Sequence, residues 1–349
     1  MKDKESYFLS DKKFKGKIIL TGDRPTGKLH LGHYVGSLIT RVNLQHENHQ
    51  YLMIADLQAL TDNMNNIKYI SSNIKEVLSD YLASGIKAEK TTIFLQSKIP
   101  ALSELSTLFL NCVTLAQIKR NPTLKEEIKN KYKDYNIPLG FLCYPVSQVA
   151  DIVAFNTDLV PVGSDQLPMI EQSNQIVKKI NSLCDPNQAK SLPLKEVKAI
   201  LTKNSRLIGI DGKKKMSKSL GNAIYLSDDN NTIRKKVFSM YTDPNHIRIS
   251  DPGNVQNNVV FKYLDIFMQD REELEKLKKH YEKGGLSDTT LKDLLFNIIK
   301  NLINPIREKR KDIINDKKHL NKILSEGIQK AKKISETTLI KLKNSLNMY

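Results

Sequence analysis

Lys17 to Leu38 reads KIILTGDRPTGKLHLGHYVGSL, and this stretch decides the fold. KIIL (17–20) is a short β-branched run that stops at Thr21-Gly22, which predicts a buried strand. Asp23 to Gly27 contains Pro25 and Gly27 and predicts a turn. From Leu29 onward apolar residues recur at helical spacing: Leu31, Tyr34, Val35, Leu38 and Val42. The string HLGH (30–33) therefore belongs at the start of a helix that follows the first strand.

The same alternation continues outward. YLMIADLQAL (51–60) begins as a strand, 68–84 is an amphipathic helix closed by Gly85, and TTIFLQS (91–97) is a strand. Residues 102–118 read as one helix, and 119–138 as a charged, mobile excursion punctuated by Pro122 and Pro138. A helix follows over 140–155 despite Pro145, then a strand and turn over 158–164, then a helix over 165–182. Strands alternating with helices predict an α/β fold: a doubly wound parallel-sheet (Rossmann-like) catalytic domain. Ligands in such sheets bind beyond the C-terminal strand ends. After about residue 225 strand-like runs largely stop, and 260–349 reads as amphipathic helices punctuated by Gly284-Gly285 and Pro305. The expected division is an N-terminal extension (1–16), the Rossmann-like domain (17–225) and a C-terminal all-helical domain (226–349). There is no internal repeat.

The 349 residues are enough for about two domains, and 40% are apolar. No apolar run approaches the roughly 20 residues of a membrane helix. MKDKESYFLSDKKF (1–14) has no apolar core for a signal peptide, and its acidic residues argue against a transit peptide, so the cytoplasm is the expected compartment. Cys112, Cys143 and Cys184 are widely spaced and odd in number, so neither structural zinc nor a disulfide framework is expected. The net charge of +17 suits a polyanionic partner, or equally a Lys-, Asn- and Ile-rich composition. It is spread along the chain and marks no single face.

A helix start carries unpaired N–H groups and partial positive charge, which suits phosphate. His30 and His33 lie one turn apart, with Gly32 between them where a ligand needs close approach. Two surface histidines, an H-x-x-H metal pair, or a small-metabolite adenylyltransferase of the HxGH type would read similarly. No third metal ligand follows at a recognisable spacing. The second string is KMSKS (215–219), inside DGKKKMSKSLGN (211–222). Lysine is a flexible point charge, so Lys215 and Lys218 suit β- and γ-phosphates, with Ser217 and Ser219 as added donors. Alone, Lys213-Lys214 would be a solvated basic run. Together, the two strings predict one nucleoside triphosphate held from two sides and an adenylate as product. A metabolite adenylyltransferase would lack KMSKS and be shorter.

HLGH with KMSKS at this spacing resembles the class I aminoacyl-tRNA synthetases. TGDRPTGKLHLGHYVGSL (21–38), ADLQALTD (55–62), YPVSQVAD (144–151), LVPVGSDQLPMIEQ (159–172) and MYTDPNHIR (240–248) resemble their bacterial tryptophanyl branch. The resemblance runs from about residue 17 to 285, and the helical tail fits an anticodon-binding region. It implies activation of L-tryptophan by ATP with Mg2+, transfer to tRNA(Trp), and a homodimer. His30, His33, Lys215 and Lys218 match the signature catalytic residues, and Lys125 matches a mobile lysine acting on the phosphates. Arg24, Pro25, Thr26, Gly32 and His33 would line the ATP phosphates, with Met216, Ser217 and Ser219 from the second string. Gly163, Ser164 and Asp165 match a ribose-contacting turn, and Leu207 a backbone contact to adenine. Asp151 matches the acceptor of the indole N–H. Tyr144, Gln148, Val160, Val162 and Gln166 would line or close the amino-acid pocket.

Asp151 has a physical logic of its own. A carboxylate in an apolar pocket must find donors or lose several kcal/mol. Indole supplies an N–H and phenylalanine does not, so such a site rejects phenylalanine strongly. Local capping on helix 140–155 is the other reading of Asp151. Two residues depart from the bacterial pattern: Arg24 stands where many relatives have Gln, and Gln148 where they have Met. Tyr144-x-x-x-Gln148-x-x-Asp151 is also how tyrosyl-tRNA synthetases hold a phenol, which makes tyrosine the alternative substrate. The turn VPVGSDQ and MYTDPNHIR favour tryptophan. A catalytically inactive RNA-binding homologue is the alternative from another class, and the intact histidines and lysines argue against it.

Overall fold

The computed structural model describes residues 7–8, 14–132, 136–185, 193–201 and 207–348. Most of the expected N-terminal extension, and residues 133–135 of the expected excursion, lie outside the described residues. The elements in order are β1 (Tyr7–Phe8), β2 (Ile18–Asp23), α1 (Leu31–His33), a π-helical segment (Tyr34–Leu38), α2 (Ile39–Leu44), β3 (His49–Ile54), α3 (Asp56–Leu60), α4 (Ile67–Ala83) and β4 (Thr91–Leu95). Then come α5 (Pro100–Leu110), α6 (Leu115–Arg120), α7 (Pro122–Lys131), α8 (Leu139–Val153), β5 (Leu159–Val162), α9 (Leu167–Leu183) and β6 (Lys198–Leu201). The remaining helices are α10 (Asn230–Phe238), α11 (Val259–Phe267), α12 (Arg271–Lys283), α13 (Asp288–Asn315) and α14 (Lys317–Ser345).

The strands form one parallel sheet in the order β1-β6-β5-β2-β3-β4. The strand order reverses between β2 and β5, so the crevice of a doubly wound sheet opens past Asp23 and Val162. That is where the turns Arg24–Gly27 and Gly163–Gln166 lie in the chain. Tyr7 and Phe8 pair with Ile200 and Leu201, so part of the expected extension is an edge strand.

Two expectations about helices need correction. Residues 102–118 are not one helix: α5 ends at Leu110, and Thr114 caps α6 through a reciprocal bond pair with Gln117. Much of the expected mobile excursion is α7. Asn121 accepts from the N–H groups of Thr123 and Leu124, and Pro122 takes the first helical position, where its missing N–H costs nothing. Pro305 likewise lies inside α13 without ending it, whereas Gly284, at φ 83°, does cap α12.

The chain divides into two compact units, and the boundaries are not those expected at 16 and 225. The first holds Met1–Gly27, Ile39–Lys203 and Asp316–Tyr349; the second holds Lys28–Leu38 and Asn204–Asn315. The tail is therefore not one helical domain. In the first unit α14 returns to the sheet: Ala331, Leu339 and Leu342 join the core with Phe94, Leu105 and Phe155. Thr338 Oγ1 donates to the Ala154 carbonyl at 2.8 Å. Gly327, Ala331 and Ser335 are small residues at four-residue spacing, which lets the helix lie close on β4. A methyl group at Gly327 would run into the Ile93 carbonyl oxygen. On an exposed helix Gly→Ala stabilises by about 1 kcal/mol. Gly327→Ala is expected instead to destabilise by about 1–3 kcal/mol through overpacking, read as a lowered midpoint of thermal unfolding. A raised midpoint would mean that α14 does not lie on β4 at this distance.

In the second unit α10 to α13 pack on Phe261, Tyr263, Leu264, Leu291 and Leu295, all fully buried. The MYTDPNHIR stretch is structural there. Asp243 accepts from the Asn245 and Asn254 N–H groups, and the His246 ring packs against Tyr281 at 4.5 Å.

Candidate active site

HLGH and KMSKS fall in the same unit. His30 has extended backbone and donates its N–H to His33 Nδ1 at 3.2 Å, and the two rings lie 3.9 Å apart. That bond places the proton of a neutral His33 on Nε2, which makes its outer nitrogen a donor. The first amides of the helix are already used: Leu31 N–H donates to Ile224 O at 2.9 Å and Gly32 N–H to Met216 Sδ at 3.3 Å. This corrects the expectation of an open helix start for phosphate. The segment is α-helical for three residues and then π-helical. The polar groups of this corner are the two imidazoles, His30 buried and His33 half-buried, and the lysines of the KMSKS stretch.

KMSKS closes a small hairpin. Met216 N–H donates to Leu207 O at 2.9 Å, and Gly209 N–H to Lys214 O at 2.8 Å. The carbonyl of Leu207, expected near adenine, is thus engaged within the hairpin. Asn222 is buried, accepts from Ser217 N–H at 2.8 Å and donates to Asp211 at 3.1 Å. Met216 is buried beside Gly32, where a side chain would run into the His30 ring. Lys213, Lys214, Lys215 and Ser219 are exposed, and Lys218 is half-buried. Ser217 and Ser219 hydroxyls are 3.0 Å apart. The hairpin is anchored through its methionine and asparagine and offers its lysines outward.

The amino-acid residues fall in the first unit. Tyr144, Gln148 and Asp151 are spaced to share one face of α8, and they line a cavity of about 230 Å³. Gln58, Gln96 and Leu102 line it too. Asp151 is 2% exposed, and Gln96 Nε2 donates to both its oxygens at 2.9 Å. Burial pushes the Asp151 carboxyl up to about 7, and the Gln96 bonds oppose that rise. Tyr144 donates its hydroxyl to Glu127 of α7 at 3.0 Å, and burial raises its phenol above the ordinary value. Val160, Val162 and Gln166 do not line this cavity. Val160 is packed into the sheet core, with Val162 against its edge.

The model of the family described as tRNA synthetases class I (W and Y) matches residues 13–304. The chain belongs to this family. A curated tryptophan–tRNA ligase of Clostridium longisporum is 52% identical over 336 residues, spanning 95% of this chain and 97% of the relative. One from Streptococcus pyogenes serotype M3 is 50% identical over 338 residues, spanning 95% and 98%. Among solved structures, tryptophanyl-tRNA synthetase of Campylobacter jejuni, complexed with ADP and tryptophan, superposes with a TM-score of 0.81 at 27% identity. It covers 95% of this chain and 100% of its own.

In this class I synthetase the remaining expected residues lie around two turns of the first unit. Arg24 is bound to Asp62 at 3.0 and 3.1 Å, and Lys131 reaches the same carboxylate at 2.6 Å. Burial works against an ionised Asp62, but Arg24 and Lys131 outweigh it and hold the carboxyl below the usual range. Pro25 is buried, and the Thr26 carbonyl accepts from Tyr69 at 3.4 Å. Gly163, Ser164 and Asp165 form the turn from β5 into α9. Lys125 is exposed on α7, whose Thr123 donates to the Asp165 carbonyl at 2.8 Å and so ties α7 to that turn.

Gln96, Asp62, Glu127 and Asn222 are polar groups of these sites that the sequence reading missed. Gln96 directly follows β4, a position at a parallel strand's C-terminal end that carries a functional prior. Asp62 closes ADLQALTD, a segment quoted for its resemblance without a role. Among the described residues no group of three or more His, Cys, Asp or Glu is placed to hold a metal ion.

Proposed function

We propose that this chain is a tryptophan–tRNA ligase that works in two steps. The tryptophan carboxylate attacks the α-phosphate of ATP, giving tryptophanyl-AMP and pyrophosphate. The 3′-terminal adenosine of tRNA(Trp) then attacks the acyl carbon and releases AMP. The observation that carries this reading is Asp151: a buried acceptor in a cavity of about 230 Å³, where an indole N–H meets its need for a donor.

His30 and His33 donate to oxygens on which charge grows as the α-phosphate is attacked. Lys215 and Lys218 neutralise the β- and γ-phosphates as they leave, and Lys125 joins them from α7. Arg24, Pro25, Thr26 and Gly32 line the triphosphate, with Met216 as the anchor and Ser217 and Ser219 as donors. Asp165 with Gly163 and Ser164 takes the ribose, and Leu207 flanks the adenine. Tyr144, Gln148 and Asp151 hold the indole. Magnesium travels with the triphosphate, since its charge needs a counterion there, and among the described residues no acidic cluster is placed to hold one. No nucleophilic side chain is required, because the substrates' own oxygens attack.

The +17 net charge suits tRNA, and binding then weakens as salt rises. Family resemblance supports a homodimer. An enzyme that charges tRNA belongs in the cytoplasm with the ribosomes, and no helix of the described residues is long and apolar enough to cross a membrane. The names borne by relatives at about half identity support indole over phenol. The test is charging of a tRNA(Trp) transcript with tryptophan or tyrosine in parallel. Charging with tryptophan is expected; charging with tyrosine instead would replace the substrate, and no charging with either would favour the inactive homologue.

A further inference from the structure

Gln96 is buried and makes a directed chain of hydrogen bonds. The backbone N–H of Gln58 donates to its Oε1 at 3.0 Å. Its Nε2 donates to both oxygens of Asp151 at 2.9 Å. A backbone N–H can only donate, so the amide cannot be flipped: its oxygen must face Gln58 and its nitrogen must face Asp151. The direction runs Gln58 to Gln96 to Asp151 and ends on a carboxylate that can only receive.

We propose that Gln96 is a positioning residue that fixes Asp151 as a hydrogen-bond acceptor for the ring N–H of the amino-acid substrate. This rests on the reading that Asp151 holds the indole. A carboxyl without the Gln96 amide could rotate, and could take a proton and become a donor. An indole N–H is itself a donor and would then meet an O–H on one oxygen and only a weaker, uncharged acceptor on the other. Removing the amide therefore changes which ligand groups the cavity accepts.

The remaining residues lining the cavity carry no charge. Apart from Tyr144 and Asp151 itself, the titratable side chains on the surrounding elements do not line the cavity. Tyr144 donates to Glu127, Asp56 accepts from Ser97 N–H, and Glu104 pairs with Lys343. Cys143 on α8 is raised by burial, and Lys98 follows Gln96 in the short helical turn after β4. Burial raises the Asp151 carboxyl and Gln96 is its one opposing cause, so loss of the amide lets it rise further. Above that value Asp151 is ionised and accepts at both oxygens; below it, one oxygen carries a proton and the other is a weaker, uncharged acceptor. The tryptophan-binding curve of the variant must therefore move to higher pH.

The experiment is calorimetric titration of the full-length protein with tryptophan between pH 6 and 9. Gln96→Met removes the donor at similar volume, and Gln96→Leu is a second variant in case the first does not fold. Wild-type affinity is expected to fall as pH drops through about 7. In the variant the fall is expected about one unit higher, so affinity is about fivefold weaker at pH 7 and recovers at pH 9. Equal weakening at every pH, or no change, would overturn the role of Gln96. Asp151→Asn separates the two readings. If it binds tryptophan like wild type, with the acid limb intact, the indole reading itself fails. If it weakens binding and removes the limb while Gln96→Met changes nothing, only the Gln96 proposal fails.

Discussion

Lys218→Ala is expected to slow tryptophan-dependent ATP–pyrophosphate exchange by about 100- to 1,000-fold, the usual cost of one preorganised charge-stabilising group. The affinity for tryptophan should stay within about threefold, because Lys218 and the indole cavity belong to separate compact units of the chain. The geometry explains why the loss falls on rate. The hairpin is held by Met216 and Asn222, both buried, while Lys218 is half-buried and outside the core. Truncating it leaves the anchor and removes a cation whose attraction grows as pyrophosphate leaves. Exchange kinetics at saturating tryptophan, paired with equilibrium binding, read the two effects separately. An unchanged rate would remove the lysine hairpin from the mechanism.

Asp151→Ala is expected to weaken tryptophan binding by about 2–3 kcal/mol, or roughly 30- to 150-fold, the value of a hydrogen bond to a charged group. ATP binding should change little. The substitution also relieves the cost of burying a carboxyl whose ionisation is already pushed up to about 7. Against that relief, the buried Gln96 amide loses its acceptor, so thermal stability at neutral pH should change little. Equal weakening of tryptophan and ATP would mean that Asp151 supports the fold rather than reads the substrate. Loss of folding would say the same.

Much of the fold is legible along the chain because its sheet is built from short apolar runs separated by turn residues. Strands β2, β3, β4 and β5 announce themselves in KIIL, YLMI, TTIFL and LVPV. Strand β6 does not: KAIL is four residues long and follows the charged stretch LKEV, so its pairing with β5 supplies what its composition lacks. Helix α7 was hidden by Pro122, which reads as a breaker until Asn121 is seen to cap the helix that the proline begins. The place of α14 was hidden for another reason. Its small-residue stripe at Gly327, Ala331 and Ser335 is a weak apolar face on its own and makes sense only against the backbone of β4.

The candidate site was legible where chemistry is concentrated in contiguous letters. HLGH and KMSKS are the strings read as phosphate-contacting, and the structure puts the hairpin's Met216 against Gly32. Asp151 was named through the resemblance of YPVSQVAD, and the structure places it with Tyr144 and Gln148 along one cavity. Its partner Gln96 comes from a different strand end 55 positions away, so no local pattern could pair them. Val160 and Val162 were drawn in by resemblance, and strand geometry sends them to the core instead. Arg24, which departs from the bacterial pattern, is held by Asp62 together with Lys131, a network that only the tertiary structure reveals.

The central claim is that this chain activates tryptophan with ATP. Amino-acid-dependent ATP–pyrophosphate exchange tests it most directly, run with each of tryptophan, tyrosine and phenylalanine. Exchange is expected with tryptophan, with phenylalanine rejected by a factor on the order of 10⁴ because it brings no ring N–H to the buried Asp151 carboxylate. Exchange with tyrosine in place of tryptophan, or with none of the three, would contradict the account.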